Sequence, residues 1–130
     1  MIRPYGAQSY LQTDVQSATP LTLVVKLYDA AVRSAATAHD AMVRGDIPAR
    51  RAAINRLMDI IAELQNTLDL ERGGKIATDL DGLYTYLLSR LLDAISRQDA
   101  RPVEEVQRIL TTLRGAWQEI ANQQAAQVAS

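Results

Sequence analysis

The chain holds one histidine, His39, in the stretch AATAHDAMVRGD, and it is the first residue to test for chemistry. A lone exposed histidine on a small helical bundle is the arrangement of a histidine phosphotransfer domain. Such domains follow the histidine with a lysine three residues on and a glycine four on. Met42 and Val43 stand at those places here, so a phosphate on His39 would lack both a cation and a close backbone approach. The bland reading is a solvated helix residue. The carboxylates at Glu104-Glu105 and Asp79/Asp81 fall near expected helix starts, where negative charge offsets the helix dipole. The Glu-x-x-His pattern of di-iron bundles is missing, and one histidine could not supply both halves of it. Gly73-Gly74 has no Lys-Ser or Lys-Thr after it at phosphate-loop spacing, so it reads as a helix stop. Arg44, Arg50, Arg51 and Arg56 form a basic cluster with only Asp46 against it. Without aromatic interleaving or a net positive charge, that cluster is a solvated face and not a nucleic-acid site. There is no cysteine for thiolate, disulfide or zinc chemistry. These residues predict a protein that is not an enzyme and that holds neither metal nor cofactor.

The elements that carry those residues are helical. The 130-residue chain is 48% hydrophobic and 22% charged, with a net charge of -1, which describes one globular domain with no field for nucleic acid or anionic lipid. The opening MIRPYGAQSYLQTD is too polar for a signal peptide, and no apolar run approaches the roughly 20 residues of a membrane span. A cytoplasmic protein with no membrane insertion is expected. Four segments space their apolar residues by three and four, which keeps them on one helical stripe. The first runs from about Pro20 to Val43 and carries Val24, Leu27, Ala31, Ala35, Ala38 and Met42, with Gly45 as its stop. The second follows Asp46, carries Ile54, Leu57, Ile61, Leu64 and Leu68, and is expected to end at Gly73-Gly74. A third covers Ile76 to Arg97. The fourth begins near Asp99 and Pro102 and carries Val103, Val106, Leu110, Leu113, Trp117 and Ile120. No segment alternates with period two. An all-α, antiparallel four-helix bundle over residues 19–121 is predicted. Residues 1–18 form an N-terminal arm or extra helix, and residues 122–130 a tail that frays.

The third helix has an apolar surplus. In IATDLDGLYTYLLSRLLDAI one stripe needs Leu80, Leu83, Leu87, Leu91 and Ile95, yet Tyr84, Tyr86, Leu88 and Leu92 widen the surface to over half the circumference. Either this helix is central and contacts two neighbours and the arm, or it leaves an apolar groove for a partner.

Three blocks of sequence resemble the flagellar secretion chaperone FliS family. YLQTDVQSATP (Tyr10 to Pro20), followed by LTLVVKLYDAAVR, is similar to its entry into the first helix. LQNTLDLERGGKIATDLDGLYTY (Leu64 to Tyr86) and VEEVQRILTTLRGAW (Val103 to Trp117) are similar to its middle and final helices. Thr19 stands where serine is usual, Ala30 where glycine is common, Lys26 where methionine is common, and Lys75 where glutamate is frequent. The resemblance implies a cytoplasmic chaperone that captures the disordered C-terminal segment of flagellin before flagellar type III secretion. It would thereby block premature polymerisation, with export-apparatus components as further partners. Helix-in-groove recognition then assigns the groove to Leu80, Leu83, Tyr84, Leu87 and Leu88, with Leu64 and Leu68 as its other wall. Tyr10, Leu11 and Val15 are expected to form a lid over it. A histidine phosphotransfer domain using His39 and a helical-bundle scaffold with another partner stay open beside this reading.

Overall fold

The computed structural model describes residues 20–129. Among these the chain forms four helices and no strand: α1 (Pro20–Arg44), α2 (Ile47–Asn66), α3 (Leu70–Arg97) and α4 (Arg101–Ala129). The predicted all-α bundle is the architecture found. Each helix packs on its neighbours in a ring, with α1 against α2 and α4, and α3 against the same two helices. The packing of α3 is less extensive than that of α1.

Short junctions with specific caps turn the chain back at each end. Gly45 adopts φ 73°, and the N–H groups of Gly45 and Asp46 bond to the carbonyls of Met42 and Ala41 at 3.2 and 2.9 Å. That paired bonding closes α1 and needs a left-handed residue, which glycine supplies without strain. Asp46 then caps α2 by accepting from the Ala49 N–H at 3.1 Å. Thr67 ends α2, its hydroxyl donating to the Leu64 carbonyl at 2.6 Å. Asp69 caps α3 through the Arg72 N–H at 3.1 Å.

The expected end of the second helix at Gly73-Gly74 is therefore corrected. α2 stops at Asn66, Leu68 lies in the junction, and the two glycines sit inside α3. Gly74 has φ 55° and ψ -132°, which interrupts α3 one turn after its start. Gly73 lies so close to the next turn that a Cβ there would come within 2.5 Å of the Ala77 Cβ. The pair acts as a kink because two stronger stop signals, a Thr67 hydroxyl and an Asp69 cap, come before it.

Small residues on α1 decide how close the helices come. Ala31, Ala35, Ala38 and Ala41 are all fully buried and spaced by a turn. Against them pack Ile54, Leu57, Ile61 and Leu64 of α2, Leu87 and Leu91 of α3, and Val103, Val106 and Leu110 of α4. Each large aliphatic side chain so buried contributes about 1.5–3 kcal/mol. The stripe of α3 differs from expectation at two positions. Tyr84, expected as surplus, is 1% exposed and belongs to the core, while Ile95 is 42% exposed. On α4 the stripe leaves the core as the helix outruns its neighbours: Leu113 and Trp117 are half-buried and Ile120 is exposed. The helix continues through the stretch expected to fray, although residues 122–128 are all exposed. Its alanines and glutamines are good helix formers, which favours the helical conformation at these exposed positions.

Candidate functional site

Where the α2–α3 junction meets the end of the bundle, a hollow of about 400 Å³ opens between α1, α3 and α4. Its apolar walls are Val24, Leu68, Ile76, Ala77, Leu80, Tyr84 and Trp117. Thr67, Asp69 and Arg72 form a polar rim, with Gly73 beside them. The early end of α2 and the kink at Gly74 create the space, because the first turn of α3 cannot follow the axis of the rest. The rim charges lie near each other, with Arg72 Nε 3.7 Å from Asp69 Oδ2. The hollow therefore presents a nearly neutral apolar surface, suited to the side chains of an amphipathic segment and not to an ionic substrate.

Beneath it, two tyrosines meet across the diagonal of the bundle. Tyr28 Oη of α1 and Tyr84 Oη of α3 are hydrogen-bonded at 2.5 Å. Both side chains are buried, at 0% and 1% exposure, with Tyr84 also bordering the hollow. Burial pushes both phenols above the ordinary tyrosine range; the hydrogen bond to Tyr84 and the neighbouring Trp117 side chain partly oppose this at Tyr28. The buried hydrogen bond ties α1 to α3 beneath the hollow. Asp29, next to Tyr28, is ion-paired with Arg114 of α4.

The residues proposed from the sequence are divided by the fold. Leu68, Leu80 and Tyr84 line the hollow. Leu64 and Leu87 are sealed in the core at 1% and 0% exposure. Leu83 and Leu88 are half-buried on opposite flanks of α3. Tyr86 and Arg90 mark one flank by bonding to Glu105 of α4 at 2.8 and 2.6 Å. On the other, Gln65 Nε2 of α2 donates to Asp81 Oδ1 at 3.0 Å and Thr85 Oγ1 at 2.9 Å. Leu83 is one turn from Tyr86, and Leu88 one turn from Thr85. Leu92 continues the α2-side flank and is 54% exposed. Tyr10, Leu11 and Val15 lie outside the described residues. Val24, Ile76 and Trp117 were not among the proposed site residues. Ile76 stands at the edge of the apolar surplus, and the others read as core members of their stripes.

His39 does not resemble a phosphoacceptor here. Its Nε2 lies 2.7 Å from Glu104 Oε2, so a carboxylate occupies the space an incoming phosphoryl group would need. Among the described residues no group of three or more His, Asp or Glu side chains could hold a metal ion. No helix among them is long and apolar enough to cross a membrane. Arg44 of the basic cluster is paired with Asp40 and Asp46 at 3.0 and 3.4 Å.

Among the described residues the fold is that of a four-helix bundle protein, with a nearly neutral apolar hollow at one end. Residues 1–124 match the family described as Flagellar protein FliS. The chain is 38% identical to the flagellar secretion chaperone FliS of Salmonella typhimurium over 116 residues, covering 88% of this chain and 86% of that protein. It is 36% identical to the flagellar secretion chaperone FliS of Campylobacter jejuni, covering 91% of both chains. It is 33% identical to the flagellar secretion chaperone FliSB of Pseudomonas aeruginosa, covering 88% of this chain and 91% of that one. The chain belongs to the FliS family.

Proposed function

We propose that this protein is a cytoplasmic export chaperone that holds the C-terminal segment of flagellin before flagellar type III secretion. Membership of the FliS family and the names of its relatives support the chaperone role. The observation that carries the cargo reading is the hollow, about 400 Å³ with walls of Val24, Leu68, Ile76, Leu80, Tyr84 and Trp117. A flagellin segment that is disordered as a monomer would fold on binding, which costs about 2–5 kcal/mol of the gross interaction energy. A broad apolar contact offsets that cost, and further turns of the segment would extend over Leu83 on the adjoining flank or over Leu88 and Leu92 on the other. Leu64 and Leu87 would serve from within the core by holding α2 and α3 in place. Sequestering the segment keeps its apolar stripe from packing on a second flagellin subunit. The loaded chaperone would then meet components of the export apparatus.

Calorimetry with a flagellin C-terminal peptide tests this directly, with circular dichroism reporting helix gained by the peptide. Saturable one-to-one binding with a gain of helix is expected, and absence of binding to the folded chain overturns the reading. Tyr10, Leu11 and Val15 would act as a lid that competes with cargo, lowering its apparent affinity by the fraction of time the site is covered. Deleting residues 1–16 should tighten peptide binding or leave it unchanged. Lost binding with an intact bundle would make those residues cargo contacts.

A further inference from the structure

The groove between α1 and α2 contains a second recess, of about 310 Å³, that shares no lining residue with the hollow beside Trp117. Ala30, Ser34 and Ala53 give it a floor of small side chains, and Arg33, Thr37 and Arg56 stand around it. The acidic neighbours of the two arginines do not neutralise them. Asp29, one turn before Arg33, is taken by Arg114. Asp59, one turn after Arg56, forms no ion pair with it, and neither guanidinium has an anionic partner among the described residues. Ser34 is 6% exposed, and its hydroxyl makes no hydrogen bond among the described residues. No fully buried side-chain oxygen there lacks a partner, so the Ser34 hydroxyl keeps its access through the recess it lines. The Thr37 hydroxyl, by contrast, is spent on the Arg33 carbonyl at 3.0 Å.

We propose that this recess is a docking site for a carboxylate side chain carried on an acidic helical segment of a second protein, distinct from the flagellin cargo. Two guanidinium forks and a free hydroxyl offer donors to an anion, and the planar fork matches a carboxylate in two-point geometry. The small floor residues let a side chain enter between the helices. No aromatic lines the recess to stack a base, which disfavours single-stranded nucleic acid. An inorganic anion would meet donors on one side and water on the other, whereas a carboxylate on a partner helix brings the surface that closes the recess.

The test titrates the full chain, isotopically labelled for NMR at low salt, with two blocked helical peptides. One carries glutamates one turn apart and the other carries glutamine at the same places. The glutamate peptide should shift the Arg33 and Arg56 side-chain N–H signals and the Ser34 amide in a saturable way. The glutamine peptide should not, and Arg33→Gln/Arg56→Gln should weaken binding by about tenfold or more. Shifts spread over every basic residue, or an equal response to the glutamine peptide, overturn the proposal. So does inorganic phosphate that reproduces the shifts at lower concentration than the glutamate peptide, which would mark a small-anion site. A flagellin C-terminal peptide should bind the double variant as tightly as the parent chain. Weakened flagellin binding would assign the recess to cargo and overturn the proposal. If flagellin fails to bind the parent chain, the glutamate-peptide result still decides this site on its own.

Discussion

Replacing Tyr84 by phenylalanine separates the two things this residue does. The hydroxyl is bonded to Tyr28 at 2.5 Å inside the core, while the ring forms part of the hollow. Tyr84→Phe keeps the ring and leaves the Tyr28 hydroxyl, at 0% exposure, without that partner. Stranding a buried hydroxyl costs about 1–3 kcal/mol. For a domain of this size each kcal/mol lowers the melting temperature by roughly 2–8 °C. Tyr28→Phe should cost a similar amount, and the double variant less than the sum by about 1 kcal/mol or more, because it removes both hydroxyls together. Urea unfolding of the four proteins in a double-mutant cycle gives that coupling. Flagellin-peptide affinity measured on the same proteins should stay within about threefold for Tyr84→Phe, a difference near RT ln 3. Additive losses, agreeing within about 0.3–0.5 kcal/mol, would refute the idea that the two hydroxyls act as a unit. A loss of peptide affinity as large as the loss of stability would make the hydroxyl a cargo contact. Tyr84→Ala cannot make this distinction, since emptying a core aromatic site costs about 3–5 kcal/mol and threatens the fold itself.

Ile76 is 72% exposed on the hollow's wall, so Ile76→Glu should leave the urea midpoint nearly unchanged and weaken flagellin-peptide binding by about tenfold, as calorimetry would report. Gly74→Ala meets open space but must hold φ 55° and ψ -132°, so denaturation should show a loss of about 1–3 kcal/mol from backbone strain. The Asp99 carboxyl is held down to about 2 chiefly by hydrogen bonds from the Arg101 side chain and then its backbone N–H. A lowered folded-state pKa means its contribution is present above the unfolded value and lost as pH falls from about 4 to about 2. Asp99→Asn should accordingly flatten the fall of stability across that interval in acid titrations followed by circular dichroism.

The bundle was legible because its signals were local and redundant. Asp46 and Gly45 mark the turn between α1 and α2, and both cap as their residue types suggest. The boundary between α2 and α3 was misplaced because Gly73-Gly74 is conspicuous, whereas the cap that acts there depends on one threonine hydroxyl and one aspartate. The hollow follows from that same boundary, so its rim of Thr67, Asp69 and Arg72 could not be read beforehand. Periodicity shows that α3 has more apolar residues than one stripe needs, but not which neighbour covers each flank. For that reason Leu64 and Leu87 proved to be core, while Trp117 and Val24, which looked like core, border the opening. The tyrosine pair was illegible for a further reason: no helical periodicity links Tyr28 to Tyr84, which stand 56 residues apart in the chain on two different helices.

Trp117 is the chain's single tryptophan and stands at the hollow, so its fluorescence reports the site without a label. Titration with a tryptophan-free flagellin C-terminal peptide is predicted to shift its emission to the blue and saturate at one peptide per chain, with Ile76→Glu displacing the curve to higher concentration. Calorimetric binding that leaves Trp117 emission unmoved would place the cargo elsewhere on the bundle and contradict the account.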